Sequence, residues 1–109
     1  MVTETVLIES IKEIFKYFIS LDKDEAENYR IIADDEQKFY ELKHIGWRGA
    51  RRIYGTIIDV EVTNNLVWVH HDGTDGFIRR LEDKGIPKDQ IVIGWLSPYL
   101  RKLSDYAKA

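Results

Sequence analysis

The feature that most limits the fold is a change of hydrophobic period. From Tyr29 to His71 β-branched and aromatic residues form four runs, YRIIADD, KFYELKHIGW, RRIYGTIIDVEV and LVWVHH. A period of two in such runs marks strands that bury one face. Only DDEQ, WRGA and TNN separate them, too little chain for a crossover, so consecutive strands must pair antiparallel. Gly49 and Asn65 are the turn residues best suited to a positive φ. A four-stranded antiparallel meander follows.

Helical spacing flanks it on both sides. Leu7, Ile11, Ile14, Phe15 and Phe18 fall on one stripe of a helix over about residues 4–20, with Thr3 or Thr5 as its cap. After the meander, Asp72 and Gly73 make a turn, Thr74 or Asp75 caps a second helix, and Phe77, Ile78 and Leu81 face inward. Gly85, Ile86 and Pro87 end that helix. IVIGWL offers a fifth strand, and Ser97 followed by Pro98 starts a short C-terminal helix. The expectation is one α+β domain over residues 1–109: an antiparallel meander of four to five strands with three helices. A chain of 109 residues suits one core rather than two.

Composition narrows the function. Sixteen basic and nineteen acidic side chains give a formal net charge of -3, unlike the basic footprint of a dedicated DNA-binding domain. Any anionic partner has to meet a local patch, and residues 46–109 carry ten basic against eight acidic side chains, where residues 1–45 carry six against eleven. With no cysteine, thiol nucleophiles and cysteine-bound zinc are excluded. The first fifteen residues are interrupted by charge and read as neither signal peptide nor membrane span, so a cytoplasmic location is expected. No serine sits in a glycine-framed elbow. His70 and His71 are strand neighbours on opposite faces, which leaves only His70 and Asp72 to converge, too few for a metal. No enzyme activity, metal or cofactor is expected.

The segment GWRGARRIYG carries the candidate binding chemistry. Gly46 and Gly49 are expected to permit its turn, and Trp47 and Tyr54 to pack. Arg51 and Arg52 face opposite sides of their strand: Arg51 with Ile53 and Ile57, Arg52 with Tyr54, Ile58 and Val60. One of the two is expected to meet an internal carboxylate, because a buried cation needs a partner. Arg48, in the turn, is expected to reach outward. Arg79 and Arg80, on the second helix, add at least one exposed cation.

Two stretches, IGWRGARRIYG and VWVHHDGTDGFIRRLEDKGIPKDQIVIGW, together resemble the XisI family of fdxN element excision controlling factors. The resemblance runs from about Phe39 to Pro98 and includes Gly46, Trp47, Gly49, Arg51, Arg52, Tyr54, Gly55, Trp68, Asp72, Gly73, Thr74, Gly85 and Pro87. Asp59 and Leu96 stand where the family commonly has His. The resemblance implies a non-enzymatic accessory role in site-specific excision of a DNA element in cyanobacteria, beside a recombinase and a nuclease-like companion, XisH. Two modes of action then compete. The first is binding of an XisH-like partner through Arg48 and one exposed arginine. The second is weak, salt-dependent contact with DNA through Arg48, Arg51 or Arg52, Arg79, Arg80, Arg101 and Lys102. Three tryptophans and six tyrosines in so short a chain also point to a homo-oligomer.

Overall fold

The computed structural model describes residues 1–109. In chain order the elements are α1 (Glu4–Leu21), β1 (Tyr29–Asp34), β2 (Phe39–Arg48), β3 (Arg51–Thr63), β4 (Leu66–Asp72), α2 (Phe77–Asp83), β5 (Ile91–Ile93) and α3 (Pro98–Leu103), with 3-10 turns at Ala26–Asn28 and Lys88–Gln90. The class is α+β, as the change of period implies. One sheet holds all five strands in the order β1-β2-β3-β4-β5. The first four pair antiparallel. β5 instead lies parallel to β4, with Val67 opposite Ile91 and Val69 opposite Ile93. This departs from a purely antiparallel meander because α2 carries the chain back across the sheet before β5 begins, and such a crossover returns the strand in the same direction.

The turns follow from their residues. Gly49 has φ +60° between the paired Arg48 and Arg51, the Gly-X arrangement of a two-residue hairpin. Asn64 and Asn65 both take a positive φ between Thr63 and Leu66, as a type I′ turn requires. Asp34 shapes the first turn by accepting from the backbone N–H groups of Glu36 and Gln37. Thr3 caps α1 by accepting from the Val6 N–H, and Ser97 caps α3 through the Leu100 N–H.

α1 lays Leu7, Ile11, Ile14 and Phe15 on the sheet face made by Tyr40, Leu42, Ile58, Val60, Val62, Val67 and Val69, and Phe77, Leu81 and Ile86 close the core beside them. Phe15 and Phe77 meet at 6.0 Å between ring centroids. Each of these side chains, fully withdrawn from water, favours the fold by about 1.5–3 kcal/mol. The opposite face has no such cover over most of its area.

Two β-bulges decide which residues reach each face. Between β2 and β3, Leu42 pairs with Ile58 while Lys43 pairs with Thr56, so Ile57 is extra. Between β3 and β4, Asp59 pairs with His71 while Val60 pairs with Val69, so His70 is extra. An extra residue shifts the alternation by one and turns the rest of the strand over.

Candidate functional site

The first bulge re-sorts the arginines. Arg52 is opposite Trp47, and Tyr54 opposite Ile45, on the outer face, whereas Ile58 and Val60 belong to the core face. Arg52 and Tyr54 therefore do not share a side with Ile58 and Val60, contrary to plain alternation. The strands β2 and β3 also run beyond their neighbours. β1 pairs no further than His44, and β4 no further than Ile58, which leaves the hairpin from Ile45 to Ile57 as a two-stranded arm.

The arm holds its arginines in ways the sequence did not suggest. Neither Arg51 nor Arg52 forms an ion pair; the arginine held at home is Arg48, whose guanidinium meets Glu25 at 3.2 Å with further hydrogen bonds from Nε at 3.3 Å. Glu25, through this hydrogen bond first and its charge second, raises the Arg48 pKa. Trp47 and Tyr54 do not pack in the core. They are 57% and 64% exposed and flank the Arg52 guanidinium at 5.2 and 5.7 Å, a cation–π arrangement that orders the cation without neutralising it. Lys43 lies over the other side of this cluster, 5.3 Å from the Tyr54 ring.

Gly46 is not in the turn but in β2, opposite Ile53. A Cβ there would stand 2.5 Å from the Asn28 side chain, so glycine lets the acidic segment after α1 close on the arm. That segment is tied down at two more points. Tyr29 donates to Asp22 at 2.8 Å, and its pKa rises to about 12, first through burial and then through this hydrogen bond. The Tyr29 ring stacks on His44 at 4.6 Å. His44 is 8% exposed, its Nε2 has no hydrogen-bond partner, and Glu25 Oε2 stands 3.7 Å away.

Further down the outer face are carboxylates and imidazoles. Glu41 accepts from the Thr56 hydroxyl, and Glu61 is bonded to His70 at 2.9 Å. The second bulge brings His70 to the outer face next to His71, so strand alternation misassigned the pair. His70 and Asp72 do not converge, because Asp72 is occupied by the N–H and hydroxyl of Thr74 at 2.8 and 2.6 Å. No three His, Asp or Glu side chains are placed to hold one metal ion. Asp59, between Glu41 and Glu61, has its pKa raised by burial first and by Glu41 second. An aromatic row of Phe39, His70 and Trp68, with centroid spacings of 6.3 and 6.1 Å, ends at Arg101, 5.2 Å over Trp68.

The Asp72-Gly73-Thr74 turn is local structure. The N-cap of α2 is Gly76 rather than Thr74 or Asp75, and no side chain caps it; Thr74 Oγ1 instead accepts from the N–H groups of Gly76 and Phe77 at 3.3 and 3.2 Å, two residues ahead of the cap position. Arg79 is exposed and unpaired, whereas Arg80 stacks 3.8 Å over Tyr17 and donates to its hydroxyl. Sequence reasoning missed a second exposed patch. Tyr99, Leu100 and Leu103 of α3 project to solvent near Trp95, and α3 buries no residue. Three apolar residues in six, after the Ser97-Pro98 start, were the signal for it.

A helix-backed, mostly antiparallel five-stranded sheet, with an aromatic and charged face left uncovered, defines an α+β protein. The chain belongs to the XisI family, whose model it matches over residues 2–108. It is similar to the crystal structure of the fdxN element excision controlling factor XisI from Anabaena variabilis, at 27% identity and a TM-score of 0.78, covering 96% of this chain and 97% of that one. A XisI-like protein from the same organism is similar at 28% identity and a TM-score of 0.81, covering 94% and 95%. No curated protein matches. No helix is long and apolar enough to cross a membrane.

Proposed function

We propose that the protein is a non-enzymatic control factor for site-specific excision of a DNA element and acts inside the cell by binding an XisH-like partner. The observation that carries this reading is family membership across nearly the whole chain, together with a solved relative described as an excision controlling factor. The arginines supply the mode of contact. Arg51, on the arm face opposite Arg52, and Arg79, on α2, are exposed cations without an ion pair. Cations not neutralised at home attract an acidic protein surface, while a net charge of -3 opposes approach to a phosphate backbone at long range. Arg48 and Arg80 contribute less because Glu25 and Tyr17 hold them.

Co-expression with an XisH-like protein tests the reading. The two should co-purify, and the Arg51→Ala/Arg79→Ala double variant should lose the partner with its melting temperature unchanged. Absence of co-purification with the unaltered chain overturns partner binding. Retention of element-end DNA by the chain alone in a low-salt mobility shift would favour direct DNA contact instead.

A further inference from the structure

The uncovered sheet face is charged oppositely at its two ends. Toward the arm it carries Arg30, Lys43 and Arg52; toward the other end it carries Glu41, Asp59 and Glu61, in register across β1, β2 and β3. Exposed rings stand beside both groups: Trp47, opposite Arg52, and Tyr54 at the basic end, and Phe39, opposite Glu61, at the acidic end, each 41–64% exposed. Most of the charges have partners within the chain: Lys43 has Glu41 at 3.7 Å, and Glu61 has His70. Two do not. Arg52 touches only aromatic rings, and Asp59 makes neither an ion pair nor a side-chain hydrogen bond, while burial and Glu41 already disfavour its charge.

We propose that this face is a dimer interface occupied by a second copy of the chain, packed sheet on sheet about a two-fold axis crossing β3 between residues 52 and 59, so that Arg52 of each protomer pairs with the partner's Asp59. A two-fold axis reverses β3 and lays the basic end of one face on the acidic end of the other, which is the self-complementarity an isologous interface requires. A partner of a single sign, such as DNA or a wholly acidic protein, would meet like charge over half of this surface. The size also fits. β1 to β4 hold 6, 10, 13 and 7 residues, which at about 3.3 Å rise and about 4.8 Å strand spacing cover roughly 570 Å² before side-chain relief is added, against about 800 Å² per partner in a standard interface. The rings beside each charged group, Trp47 and Tyr54 at one end and Phe39 at the other, supply apolar burial, and the pairing of Arg52 with Asp59 fixes the register.

Light scattering on the full chain at micromolar concentration tests this. The unaltered chain should weigh twice 12.8 kDa. Arg52→Glu and Asp59→Lys should each halve the mass with an unchanged circular dichroism spectrum, and an equimolar mixture of the two should restore the dimer, because both contacts are then of opposite charge. A monomeric unaltered chain overturns the proposal, as does an Arg52→Glu chain that stays dimeric or a mixture that stays monomeric. Arg52 is exposed on the arm, so Arg52→Glu decides alone if Asp59→Lys fails to fold. Arg52→Glu should still capture an XisH-like partner, which separates this result from the outcome for the proposed function.

Discussion

On the helix side of the sheet Tyr40, Leu42, Ile58, Val60 and Val62 are at most 1% exposed; on the other face of the same strands Phe39, Trp47 and Tyr54 stand in solvent, and the latter two flank the Arg52 cation. The two faces differ in composition as well as in exposure. The covered face is uniformly apolar except for His44, whereas the outer face mixes aromatic rings with Arg30, Lys43, Arg52, Glu41, Asp59 and Glu61. Covering such a face with an apolar helix would strand charges without partners.

Three experiments would break or sharpen this contrast. The largest effect is expected from Phe15→Ala on the covered side, which should cost about 3–5 kcal/mol of unfolding free energy in denaturant titration. Trp47→Ala on the outer side should change the stability of the monomer by no more than about 0.5 kcal/mol. Equal losses would mean that both faces belong to the core.

Thr74→Ala, which removes the hydroxyl that accepts from the Gly76 and Phe77 N–H groups ahead of α2, should cost about 1 kcal/mol, read as a lower melting temperature. An unchanged value would remove the hydroxyl from the support of α2.

The smallest effect concerns the segment that folds back over the arm. The Tyr29 pKa lies near 12 in the folded chain against about 10 when unfolded, so the folded state favours the neutral phenol. Its contribution is complete below about pH 10 and is lost as pH rises through about 12. Tyr40, whose pKa is also raised by burial and by its hydrogen bond to Asp35, acts in the same direction. Tyr29→Phe should therefore make the alkaline fall in melting temperature shallower without abolishing it. An identical alkaline slope would show that Tyr29 is not held neutral by the segment.

Local chemistry made much of the molecule legible in its residues. The alternation of β1–β4, the positive φ at Gly49 and Asn65, the stripe of α1, and the Thr3 and Ser97 caps all depend on groups a few positions apart. The doublets Ile57-Ile58 and His70-His71 interrupt that alternation, and both lie at bulges, but only strand pairing decided which residue of each pair is extra. That decision placed Arg52 and His70 on the outer face. The ion pair between Arg48 and Glu25 spans 23 residues, and it leaves Arg51 and Arg52 without carboxylates. Likewise, the direction of β5 depended on how α2 crosses the sheet. Short-range periodicity and turn preferences were set by the sequence itself, because they arise from backbone sterics and local hydrogen bonds. Which charge meets which, and which face stays open, was decided by the tertiary structure, because those choices depend on register between strands that the chain brings together only on folding.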